Sequence, residues 1–297
     1  MSVALELNSM ASSKPVFQKM GRALERLTSD QDPESVHSFR TTSRRLQTLL
    51  EEILPEHDRN QKKLLKLLDR IRKRAGKVRD IDIQLSALRS LKVPQEPRRK
   101  TQLTQALIEL RTKHERKLRK LLKDKPVTDV QKRLKRAAKD GKAETARDPL
   151  QVARAMLARV ERPAGPMTEE VLHQYRIVVK RARYAAEFAP KSVEAGRFIA
   201  QLKRLQDAVG NWHDWLTLTQ TAAKRIGEVN QSPLVAALHN VTRGKFRHAV
   251  SAISASRTIQ SSTAPLQPAR AKSAPKSAAS ASDSSRPTQA PRAATAA

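Results

Sequence analysis

Two stretches decide how this chain is read: residues 36–50, VHSFRTTSRRLQTLL, and residues 172–188, LHQYRIVVKRARYAAEF. Val36-His37-Ser38-Phe39-Arg40 and Arg44-Arg45 return as Leu172-His173-Gln174-Tyr175-Arg176 and Lys180-Arg181, each shifted by 136, and Glu51 returns as Glu187 at the same shift. Working outward, Leu68, Ile71, Gly76 and Asp80 return as Leu202, Leu205, Gly210 and Asp214, shifted by 134. An almost constant offset through two separate apolar patterns is improbable by chance. It predicts two homologous helical halves related by a pseudo-two-fold axis.

The apolar spacing within these stretches is helical. On a helical wheel Phe39, Leu46, Leu49, Leu50 and Ile53 share one face, and His37, Arg40 and Arg44 form a stripe on the other. The next pattern repeats this, with Lys66, Arg70, Lys73 and Lys77 opposite Leu64, Leu68, Ile71, Ala75 and Val78. In the second half His173, Arg176, Lys180 and Arg183 take the stripe, followed by a poorer one offering Lys203 and Arg204 beside Asp207 and Asn211. A charged face is what any amphipathic helix shows. A solvated helix, however, interleaves acids with its bases at i,i+4, whereas these stripes stack like charges at a few tenths of a kcal/mol per pair. Such stacking points to an anionic ligand that relieves it.

Composition agrees. The chain has 297 residues, with 59 Lys+Arg against 29 Asp+Glu, a formal charge of +30. Self-repulsion on that scale points to a polyanionic partner. There is no cysteine, so thiolate nucleophiles, thiolate metal sites and disulfides are excluded. No two of the seven histidines stand at i,i+3 or i,i+4, so no helical histidine metal site is expected. Eight glycines form neither GxGxxG nor GxxxxGK, which removes the usual phosphate-cradling loops. Any phosphate must be held by side chains. No secretory signal or membrane span is legible, and a cytoplasmic protein without cofactor or metal is expected.

Helix-forming residues dominate up to 257 and predict an all-α protein. Asp32-Pro33 caps a helix running to about Leu54, closed by Pro55. Further helices are expected over about 15–29, 58–76, 81–91 and 98–123, then 150–161, 168–189 capped by Thr168, 192–209, 214–227 and 233–256. Residues 1–14 read as a short extension, 15–125 as the first half, 126–149 as a connector with at most one short helix, and 150–257 as the second half. Residues 258–297, rich in Ala, Ser and Pro, read as a disordered basic tail.

With GKVRDIDIQL at 76–85 and LKRLQDAVGNWHDWL at 202–216, the two opening stretches resemble the two halves of a CHAD domain, the conserved-histidine α-helical domain. The resemblance covers about residues 15–257. It implies two pseudo-symmetric helical bundles around a central basic groove, and binding of inorganic polyphosphate without catalysis by the domain itself. The triphosphate-processing domain of the CYTH type to which members are often fused is not expected in residues 1–14. Carried over by residue, the binding surface falls on His37, Arg40, Arg44 and Arg45; Lys66, Arg70, Lys73, Lys77 and Arg79; His173, Arg176, Lys180 and Arg183; and Lys203 and Arg204. Lys180 replaces the repeat's Arg44, and Trp212-His213-Asp214 stands where Val78-Arg79-Asp80 stands in the first half.

Chemistry favours the same ligand. Polyphosphate is a chain of tetrahedral oxyanions with no bases to read, suited to Arg forks and Lys point charges. Five Phe, two Tyr and two Trp leave little for base stacking. Sequence-neutral nucleic-acid binding is the alternative, because charge alone would suffice for it. The acids that could serve phosphoryl transfer are Asp80, Asp82, Asp207, Asp214, Glu51 and Glu187. Asp80 and Asp214 are read as N-caps at interhelix turns, and Glu51 and Glu187 as groups that orient the cations, so no catalysis is expected. Association with polyphosphate granules would follow from the ligand.

Overall fold

The local signals at helix starts work as their chemistry requires. Asp32 accepts from the backbone N–H of Glu34 at 2.7 Å and of Ser35 at 3.0 Å ahead of α2 (Pro33–Thr48), and Thr168 accepts from Val171 N–H at 3.2 Å ahead of α7 (Glu169–Ala186). The computed structural model describes residues 2–54, 58–93, 96–123, 125–139, 146–160, 165–227 and 232–262, with side chains described from residue 15 to 256. The remaining helices are α1 (Ser2–Ser29), α3 (Arg59–Ser90), α4 (Pro97–Lys123), α5 (Pro126–Lys139), α6 (Pro149–Ala158), α8 (Val193–Ile226) and α9 (Pro233–Ser262). Among the described residues there is no strand, and no helix is long and apolar enough to cross a membrane. The tail expected from 258 onward lies outside the described residues beyond Ser262.

Two breaks expected from the sequence are absent. The helices expected at 58–76 and 81–91 are one, α3, and those expected at 192–209 and 214–227 are one, α8. A glycine inside a helix costs about 1 kcal/mol against alanine. Around Gly76 this is outweighed by burial of Ala75, Val78 and Ile81, and around Gly210 by Val209 and the fully buried Trp212. Asp80 and Asp214 are therefore not N-caps. The caps of these helices are Asp58, accepting from Gln61 N–H at 2.6 Å, and Ser192, accepting from Ala195 N–H at 3.0 Å. The stretch read as a connector contains α5, whose Val130, Leu134 and Ala137 are buried in the first core. After α2 a π-helical turn, Leu49–Ile53, takes the place of its expected last turn.

Three apolar cores organise the helices. One gathers α1, α2, α5, the first half of α3 and the end of α4. A second gathers α6, α7, the first half of α8 and the later part of α9. The third joins the far ends of α3 and α8 through Ile81, Leu85, Leu88, Leu218 and Ala222, with Leu103 and Leu107 of α4 and Leu234, Val235 and Leu238 of α9. The long helices α3 and α8 thus run from separate cores into a shared one. Their midpoints, with α2 and α7, are left to face each other across polar ground.

Candidate functional site: a basic cavity between α2, α3, α7 and α8

That ground is a cavity of about 500 Å³. Its walls are His37, Arg40, Thr41 and Arg44 of α2; Arg79, Asp80 and Ile83 of α3; Arg176, Lys180, Arg183 and Tyr184 of α7; and Gln206, Asp207, Gly210, Asn211, His213, Asp214 and Thr217 of α8. Six permanent or near-permanent cations face three carboxylates. The helical period places Arg40 and Arg44 one turn apart on the face opposite Phe39 and Leu46, both fully buried, so the core that holds α2 also aims the cations.

Burial and mutual repulsion leave their mark on these groups. Burial first, then Arg176, Arg44 and Arg40, bring the Lys180 ammonium down to about 8. Burial also lowers Arg40 and Arg176, in each case against the raising influence of a carboxylate, Asp80 for Arg40 and Asp214 for Arg176. His37 is lowered by burial and then by Arg79, and His173 by burial and then by His213. Three buried nitrogens here, Nε of Arg176, Nε of Arg183 and Nδ1 of His213, make no hydrogen bond among the described residues. Buried donors left open are costly, and an anion is the partner that satisfies several at once.

Of the residues marked from sequence, His37, Arg40, Arg44, Arg79, Arg176, Lys180 and Arg183 meet in the cavity. His173 does not line the cavity, and its ring lies 5.3 Å from that of His213, which does. Arg45 is turned to the seam between the halves, where its Nε donates to Glu187 Oε2 at 2.6 Å. Lys66, Arg70, Lys73, Lys77, Lys203 and Arg204 are exposed and do not line the cavity. The α3 stripe is also not free of acids, because Lys73 Nζ lies 2.8 Å from Asp69 Oδ2.

Four contributors escaped the sequence reading. His213 and Asp214 sit where Arg79 and Asp80 sit, at the 134 shift, and all four line the cavity. The repeat register marked them, and the assumed helix break hid them. Arg72 is buried, and its backbone carbonyl accepts from Arg40 Nη1 at 3.1 Å. Gly76 leaves the space that Arg40 occupies: a Cβ there would stand 2.3 Å from Arg40 Nη1. Asp82, by contrast, is spent on structure, accepting from Arg111 Nε of α4 at 2.7 Å.

The two halves also exchange ion pairs. Arg45 pairs with Glu187, and Arg181, its equivalent at the 136 shift, lies 3.7 Å from Glu51, the equivalent of Glu187, and also binds Glu52. Glu187 further holds Arg183 Nη1 at 3.3 Å, tying the seam to the cavity wall.

The CHAD domain model matches residues 14–223, and the chain belongs to the CHAD domain family. Among solved structures it is similar to PptA from Streptomyces chartreusis, with a TM-score of 0.64 at 15% identity over 85% of this chain and 99% of that one. It is also similar to the CHAD domain from the plant Ricinus communis, with a TM-score of 0.60 at 16% identity over 86% of this chain and 90% of that one. At these identities the likeness is one of fold. No curated protein matches the chain.

Proposed function

We propose that this protein binds inorganic polyphosphate in the cavity between its halves, as a receptor and not as a catalyst. The observation that carries the reading is the convergence of Arg40, Arg44, Arg79, Arg176, Lys180 and Arg183 on one cavity with open, buried donors. Guanidinium forks and an ammonium match the oxygens of a phosphate chain, and the low-dielectric walls strengthen each contact. The CHAD family membership supports the same ligand. A base-stacking ligand is disfavoured because Tyr184, the one aromatic residue of the wall apart from the histidines, is buried under Arg183 and Arg45, whose guanidinium carbons lie 5.2 and 5.6 Å from its ring centre.

The reciprocal pairs Arg45–Glu187 and Arg181–Glu51 support an internal duplication. Such an i-to-j, j-to-i exchange is the mark of a two-fold interface. A cytoplasmic location at polyphosphate granules follows as part of this reading.

The test is competition between long polyphosphate and single- or double-stranded nucleic acid of matched charge, across a salt series. Polyphosphate should win at every salt concentration. Equal competition would replace the reading with a sequence-neutral nucleic-acid binder. Release of orthophosphate from polyphosphate with Mg²⁺ would overturn the receptor role.

A further inference from the structure

Helix α3 carries cations on two opposite sides. Arg79 faces the cavity, and Arg70 stands half a helical turn round from it. On that outer side α3 and α4 enclose a cleft of about 330 Å³ lined by Arg70, Arg74, Lys117, Lys120 and Leu121: four exposed cations, one leucine and no carboxylate. The acids closest in sequence are committed elsewhere. Asp69 holds Arg72 at 2.7 Å and Lys73 at 2.8 Å, while Glu115 holds Arg111 at 2.6 Å and Arg119 at 2.7 Å. None of the four cleft cations has an ion pair or hydrogen bond among the described residues. His114 of α4 registers the crowding: burial lowers it first, followed by Lys77, Lys117, Lys113 and Arg74, so cations of both helices bear on one ring.

The fold does not require this cleft. At the 134 shift Arg70 and Arg74 correspond to Arg204 and Ala208, and Lys66, Lys73 and Lys77 to Ala200, Asp207 and Asn211. The second half keeps Arg40 and Arg44 of the cavity as Arg176 and Lys180, but of the outer row it keeps only Arg204. On this face of α3, Lys66, Arg70 and Arg74 follow one another at i,i+4, a cost that Ala200, Arg204 and Ala208 at the equivalent positions do not incur.

We propose that the α3–α4 cleft is a second anion site, for a chain of linked phosphates, facing away from the cavity, so that one molecule holds two polyphosphate segments and cross-links chains. The ligand class rests on the reading of the cavity given above. Two Arg forks and two Lys around a cleft without an aromatic residue fit a bare phosphate chain and offer a base nothing to stack on. The body of α3, about 10 Å across, stands between the two sites, so one phosphate segment need not leave for another to bind. A long chain bound in the cavity of one molecule can then enter the outer cleft of the next, at the high effective concentration that tethering gives.

The experiment is calorimetric titration of the full chain with tripolyphosphate, with light scattering on addition of long polyphosphate. The wild type should show two sites. Arg74→Ala/Lys117→Ala/Lys120→Ala should weaken one of them at least about tenfold and abolish the large scattering assemblies, leaving the other site intact. Arg44→Ala/Lys180→Ala should remove the complementary site. A wild type with a single site, lost in Arg44→Ala/Lys180→Ala, overturns the outer cleft and leaves the cavity reading standing. A single site lost only in the triple variant overturns the cavity reading instead. Unchanged cross-linking in the triple variant, or loss of duplex DNA binding with both tripolyphosphate sites kept, also overturns the proposal.

Discussion

The α2–α3 wall and the α7–α8 wall of the cavity carry matched residues and hold them differently. On the first, Arg40 lies over Gly76, donates to the carbonyl of Arg72 at 3.1 Å and has Asp80 Oδ1 at 3.9 Å. On the second, nothing comes within 4 Å of where a Cβ of Gly210 would be, and Nε of Arg176 has no partner. Arg44 is answered by Lys180, and Arg79 by His213. At the Arg40/Arg176 pair the first wall is fixed in advance and the second softer, although Arg183 of the second is held by Glu187, and Lys180 stands closer to titration. Equivalent sequence positions therefore share an address without sharing a role. Preorganised donors lose less freedom when they bind, whereas free ones adapt to the ligand at an entropic cost.

The largest effect expected is on binding. Arg44→Glu/Lys180→Glu, one reversal per wall, should lower polyphosphate affinity at least about a hundredfold, because two attractions become repulsions inside a partly desolvated cavity. Reversal of the exposed Lys66 and Lys203 should change it only a few-fold. Filter binding at a fixed salt concentration checks this, and similar losses in both variants would reduce the cavity to a diffuse electrostatic skin.

Next in size is a pH effect confined to the softer wall. Lys180 falls to about 8 in the folded protein from an ordinary 10.5. Between these values the folded state holds fewer protons on this group than the unfolded chain. Its destabilising contribution is therefore full below pH 8 and is lifted as pH rises toward 10.5. Binding runs the other way: an anion favours the ammonium, so affinity should fall on the order of tenfold from pH 7 to 9.5. In Lys180→Arg, whose guanidinium does not titrate there, that fall should disappear. A wild-type profile flat across this range would remove Lys180 from the ligand.

Smaller still is a paired test of the glycines. Gly76→Ala should weaken polyphosphate binding about fivefold, since the new methyl displaces the guanidinium of Arg40 from the Arg72 carbonyl, and that displacement should offset the helix-propensity gain of about 1 kcal/mol. Gly210→Ala, where a Cβ meets no neighbour, should show the full gain of about 1 kcal/mol with little change in affinity. Thermal melts and titrations on both variants decide it, and equal binding losses would erase the distinction between the walls.

The smallest effect lies at the seam. Arg45→Ala should cost about 1 kcal/mol and Arg181→Ala about half of that, because Arg45 is less exposed in its pair with Glu187 than Arg181 is in its pairs with Glu51 and Glu52. Denaturant melts read the difference. A reversed order would mean that the π-helical turn bearing Glu51 and Glu52, not α7, governs the joint.

By itself the sequence determined the all-α class and which face of α2 and α7 carries cations. Each of these depends on a local period: Phe39 and Leu46 must be buried together, so Arg40 and Arg44 must share the opposite face. The caps at Asp32 and Thr168 were legible for the same reason, because a cap acts within three residues. What only the tertiary structure decided was where helices fail to end and which cations converge. Gly76 and Gly210 read as breaks because local propensity counts their cost and not the burial of Ala75, Val78, Val209 and Trp212 around them. The α3 stripe of Lys66, Arg70, Lys73 and Lys77 has the same period as the α2 stripe. Its exclusion from the cavity is set by the cores that orient α3, so Arg79 turns inward and Arg70 outward. A wheel fixes angles within one helix. The rotation of that helix against its neighbours comes from side chains that packing alone brings together.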